Sequence, residues 1–84
     1  EYIYRVLLAN MQRGIEEGLY RDDFDADILA RLYVGSIRLL LDDELFPNKE
    51  YHWDRLYREF IPYHLRGIVS AKGLDKLQEY IEDL

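Results

Sequence analysis

Cysteine and threonine are missing from this 84-residue chain, and serine occurs only as Ser36 and Ser70. No disulfide and no thiolate chemistry is available, and a reducing compartment is permitted. Nucleophilic catalysis has little to draw on. Ser36 adjoins Gly35 in an apolar stretch, Ser70 precedes a helical pattern, and neither stands in a nucleophile-elbow context. The glycines are isolated, so no phosphate-cradling loop exists. No apolar run reaches the ~18 residues of a membrane span, and no membrane partner is expected. The first residues have neither the basic start nor the apolar stretch of a signal peptide. Glu1 stands inside an already periodic pattern, so we expect further chain before it. Basic charge is also scarce. Eleven Lys and Arg face seventeen Asp and Glu, a net charge of −6 that repels a phosphate backbone. This stretch is not expected to hold nucleic acid by itself.

What is present is helical. Hydrophobic residues make up 49% of the chain, too many for disorder despite the net charge, and the length allows one domain with a small core. Strand alternation and hairpin dipeptides are missing. Residues 2–17 place Ile3, Tyr4, Leu7, Leu8, Met11 and Ile15 on one stripe, with Gly18 as a left-handed stop. Asp25 reads as the N-cap of a second helix over 26–45, flanked by a Phe24–Leu29 staple and ended by Pro47. A third helix is expected over about 51–69, kinked at Pro62 but continuous. Ser70 caps a fourth, to about Glu82, with a seam of Leu74, Leu77, Ile81 and Leu84. The expected fold class is all-α: an antiparallel domain of about four helices.

The second helix is apolar almost all the way round. Only a strip holding Arg31, Arg38 and Asp42 suits bulk water. Such a helix needs cover on two sides, and so short a chain has few helices to supply it. The cover is a second copy of the chain or other protein. With a homodimer as the first expectation, the candidate interface residues are Leu32, Gly35, Ser36 and Leu39 on the second helix. Trp53, Tyr57, Phe60, Ile61, His64 and Ile68 join them from the third.

The remaining chemistry-bearing residues read as structural first. Asp22, Asp23, Asp25 and Asp27, then Asp42, Asp43 and Glu44, fit caps and a solvated helix end, with Arg38–Asp42 at surface-pair spacing. A metal site or acid–base pair is the sharper alternative, but no EF-hand pattern accompanies them. His52 and His64 lack partners at zinc spacing. His64, central on an apolar face, reads as a packing histidine, with a pH-sensitive or ligand-contacting role as the alternative. Eight tyrosines suit interfaces, pockets and ordinary packing alike. No catalytic, cofactor or metal residue is expected.

Two phrases carry a family resemblance. GIEEGLYRDDFDADILARL (Gly14–Leu32) resembles a phrase of the C-terminal regulatory domains of TetR-type bacterial transcriptional regulators, where a helix ends at a glycine and a long, acid-capped helix follows. HLRGIVSAKGLDKLQEYI (His64–Ile81) resembles the close of such domains. The resemblance implies a cytoplasmic, non-enzymatic repressor. Its N-terminal helix-turn-helix reads operator DNA, and its C-terminal domain pairs into an intermolecular four-helix bundle and often encloses an effector. This chain would supply the latter part of that domain, and operator DNA would be reached only through the N-terminal one. An apolar or aromatic effector is expected beside the first and second helices, walled by Tyr4, Leu8, Met11, Tyr33 and Ile37. The rivals are a helical protein–protein interaction module without a small-molecule ligand and a small enzyme built on the acidic clusters.

Overall fold

Apolar spacing and local capping chemistry produce four helices: α1 (Tyr2–Glu16), α2 (Ala26–Leu40), α3 (Trp53–Arg66) and α4 (Ala71–Glu82), in a computed structural model that describes residues 2–83. The fold is all-α, and no named strand occurs among the described residues. Helices α1 and α2 pack as one hairpin and α3 and α4 as another.

The caps act as their chemistry requires. Asp25 accepts hydrogen bonds from the backbone N–H groups of Asp27 (2.9 Å) and Ile28 (3.3 Å), filling two of the donors that open α2. Phe24 and Leu29, on either side of it, are both half-buried against the core. The Ser70 hydroxyl accepts from Gly73 N–H at 3.1 Å and opens α4. Gly18 adopts φ 75°, a conformation that costs glycine little, and the chain reverses there. Pro62 is accommodated inside α3, which continues through it to Arg66.

Two boundaries differ from the periodic pattern. α2 stops at Leu40, not Leu45. The reason is the acidic run: Asp42 Oδ1 accepts from Glu44 N–H at 2.9 Å and Leu45 N–H at 3.4 Å, while Asp43 Oδ1 accepts from Asn48 N–H at 2.7 Å. Such side-chain bonds offer the backbone an alternative to the helix ladder. α3 starts at Trp53, not Tyr51, because His52 is its N-cap, its Nδ1 accepting from Asp54 N–H at 3.1 Å. It ends at Arg66, three residues short of Val69.

A short seam joins the two hairpins. Ser70 N–H donates to the Leu19 carbonyl (2.9 Å), Arg21 N–H to the Ile68 carbonyl (2.8 Å) and Lys72 Nζ to the Glu17 carbonyl (3.0 Å). Tyr20 and Val69 form an isolated antiparallel bridge. The first turn of α4 lies so close that a Cβ on Gly73 would stand 1.8 Å from the Leu19 carbonyl oxygen. Beneath the seam, Met11, Ala30 and Ile68 form the buried centre, and Tyr4, Leu8, Tyr20, Leu29, Tyr33 and Leu65 pack around it.

Candidate interaction surface and aromatic pocket

The outer face of α2 carries apolar residues at spacings of four, three and four: Ile28, Leu32, Gly35 and Leu39. That is the period of a helix-packing seam. Ile28 is 54% exposed, Leu32 60% and Leu39 54%. Nothing approaches within 4 Å of the position a Gly35 Cβ would occupy. The Ser36 hydroxyl donates to the Leu32 carbonyl at 2.9 Å, so its polarity is spent within its own helix. Trp53, at the start of α3, is 41% exposed.

The other expected interface residues are more deeply placed. Tyr57, Phe60 and His64 are half-buried. Ile61 and Ile68 are each 4% exposed and already covered within the chain. The Tyr33 ring of α2 meets two α3 rings edge-on, at 5.8 Å from Phe60 and 4.4 Å from His64, and those two stack at 5.5 Å. Burial lowers the pKa of His64. Its Nε2 is buried and has no hydrogen-bond partner among the described residues. Burial, followed by the neighbouring Tyr57, Tyr20 and Tyr80 hydroxyls, pushes the Tyr33 phenol up to about 12. The Tyr57 and Tyr80 hydroxyls lie 2.9 Å apart, tying α3 to α4. That bond also raises the pKa of Tyr80.

Of the five residues expected to wall an effector, Met11 is buried, and Tyr4, Leu8 and Tyr33 pack against its cluster. Ile37 is half-buried. Tyr4 also faces outward. Its hydroxyl donates to Asp27, which the Arg31 Nε approaches at 3.3 Å while the Arg31 guanidinium sits 4.8 Å from the Tyr4 ring centre. The Tyr4 hydrogen bond and then the Arg31 guanidinium hold the Asp27 carboxyl below its usual range. Tyr4, Arg31, Val34 and Arg38 border an open groove of about 340 Å³.

A second open groove, of about 370 Å³, was not legible in the helical periodicity. It lies between the end of α2, the connection to α3 and α3 itself. Phe46 and Tyr51 of the connection and Phe60 and Tyr63 of α3 line it, with Arg55 and Glu59. Its only signal in the sequence is the density of aromatic residues between 46 and 63, which carries no period because Phe46 and Tyr51 lie outside a helix.

Most of the clustered carboxylates are tied into local structure. Asp25, Asp42 and Asp43 cap backbone N–H groups, Asp23 pairs with Arg21 at 3.1 Å, and Asp54 pairs with Arg58 at 3.2 Å. Among the described residues no group of three or more His, Asp or Glu is placed to hold a metal ion, and no helix is long and apolar enough to cross a membrane. No protein-family model, curated protein or solved structure matches the chain.

Proposed function

We propose that this chain is the dimerisation and effector-sensing part of a TetR-like transcriptional repressor, acting in the cytoplasm, with operator DNA read by a separate N-terminal domain. The observation that carries the reading is the uncovered α2 stripe of Ile28, Leu32, Gly35 and Leu39. A second support is spatial. The two phrases that resemble the family, Gly14–Leu32 and His64–Ile81, meet at the seam where residues 17–21 bond to residues 68–72. Those residue types are therefore accounted for as a structural joint.

The partner is a second copy of the chain. Covering a half-exposed Leu or Ile contributes about 1 kcal/mol. Three such residues on each protomer yield roughly 6 kcal/mol per dimer, comparable to the lower end of the association cost of about 4–15 kcal/mol. The α2 stripe alone is thus marginal, and Trp53 with the exposed edge of α3 must join it. In the mechanism implied by the resemblance, effector binding favours one inter-subunit angle, the spacing of the DNA-reading heads changes, and both half-sites are no longer engaged together. The effector acts only through its different affinity for the two states.

Sedimentation equilibrium at micromolar chain tests the dimer. A native monomer overturns it. Thermal-shift screening of the full-length dimer tests the sensor: a ligand should raise the melting temperature and weaken operator binding together. The packing of Leu8, Met11 and Tyr33 into the core favours a second reading, a helical interaction module that dimerises without a small-molecule ligand. A dimer for which no such ligand is found selects it.

A further inference from the structure

The aromatic pocket beside α3 has the make-up of a small-molecule site. Its walls come from two ring pairs. Phe46 and Tyr51 meet edge to face at 5.5 Å, and Phe60 and Tyr63 lie tilted at 6.3 Å. The first pair is held by backbone bonds: Phe46 N–H donates to the Asp42 carbonyl at 2.8 Å and Tyr51 N–H to the Pro47 carbonyl at 2.9 Å. The wall is thus formed before any ligand arrives, which lowers the ordering cost of binding. At about 370 Å³ the groove has the volume of a small-ligand site.

One cation on the rim sets the ligand's charge. The Arg55 guanidinium stacks over the Tyr51 ring at 5.2 Å and has no carboxylate partner among the described residues. A stacked guanidinium is oriented, yet keeps its N–H fork for a planar anion. Glu59 lies one turn further along α3 and lines the same pocket. It disfavours a second negative charge on the ligand.

We propose that this pocket binds a flat aromatic monocarboxylate, its ring between the two aromatic pairs and its carboxylate on Arg55. None of Ile28, Leu32, Gly35 and Leu39 lines the site, so Leu39→Glu, which tests dimerisation, leaves its lining residues intact. Isothermal titration calorimetry of the full chain with 2-naphthoate, 2-naphthol and 2-naphthylmethylammonium tests it, since these probes share a ring and differ in charge. Saturable binding of 2-naphthoate is expected, at least tenfold tighter than either other probe. Arg55→Gln should weaken 2-naphthoate at least tenfold and leave 2-naphthol unchanged. Arg55→Lys, which keeps charge without the fork, should fall between. Circular dichroism and sedimentation of each variant should match the unmodified chain, because Arg55 is exposed. No saturable binding of 2-naphthoate, binding indifferent to Arg55, or a preference for the ammonium probe overturns the proposal.

Discussion

The seam between the hairpins and the outer face of α2 are built from opposite materials. At the seam, residues 17–21 and 68–73 meet through backbone and capping groups, with Gly73 fitted closely against the Leu19 carbonyl. The α2 face makes no polar commitment outward. It offers Ile28, Leu32 and Leu39 around an open Gly35. Its apolar groups stand uncovered while the nearby Ser36 hydroxyl is satisfied within its own helix, and this is the patch that the proposed dimer would cover. The contrast separates what makes the chain fold from what it is available to do.

The sharpest way to break the seam is Gly73→Val. The added Cβ meets backbone, not a flexible side-chain end, at 1.8 Å from the Leu19 oxygen and 2.7 Å from the Leu19 carbonyl carbon. Either α4 leaves the seam or the 17–21 corner moves. A loss of about 3 kcal/mol or more is expected, read as a collapse of the urea midpoint or failure to fold. An unchanged midpoint shows that α4 is not docked there.

The α2 face should respond in the opposite sense. Leu39→Glu or Leu32→Glu changes an exposed side chain, so the fold should lose no more than about 0.5 kcal/mol, while the dimer should dissociate by at least tenfold in Kd. Ile68→Glu, by contrast, puts a charge in the buried centre beside Met11 and Ala30 and should unfold the chain. Sedimentation combined with circular dichroism distinguishes loss of partner from loss of fold. If Leu39→Glu remains as dimeric as the unmodified chain, the stripe is not the interface.

Ser70 gives the seam a graded test. Its hydroxyl accepts from Gly73 N–H and donates to the Gly18 carbonyl, so it caps α4 and holds the corner together. Ser70→Ala should cost about 1 kcal/mol, the usual value of an N-cap. Amide exchange should rise first at Gly73, at the start of α4, and stay slow in the centre of α2. Uniform exchange in both would show that the seam is no local unit.

How far the sequence was legible follows the same division. Asp25, Ser70, Gly18 and the continuity through Pro62 were readable because caps, left-handed turns and apolar periodicity are local. The end of α2 was misplaced because Pro47 is a strong stop signal, whereas Asp42 and Asp43 act earlier through side-chain bonds that periodicity does not register. Met11, Ile61 and Ile68 have the same apolar character as Leu32 and Leu39. Only the packing tells a residue covered within the chain from one left open. The aromatic pocket was beyond reach because the 41–52 connection brings Phe46 and Tyr51 to α3 without any repeat.

The smallest expected effect concerns His64, which lies where α2 meets α3. Its neighbours there are the Tyr33 and Phe60 rings, and Tyr33, with its phenol raised to about 12, stays neutral throughout the histidine's range. Burial depresses the folded-state pKa of His64 below the ordinary 6.5. The unfolded chain therefore takes up a proton before the folded one as pH falls. The contribution is present in full above about pH 6.5 and is lost as pH drops through that value toward the folded pKa. Asp27 works in a lower window. Its carboxyl is depressed from 3.8, so its share is present above pH 4 and disappears only below it. Urea midpoints between pH 8 and 5 should decline in the unmodified chain and flatten in His64→Phe, which keeps a ring at this position. A decline of equal slope in both would assign the titration to another group and leave His64 as packing alone.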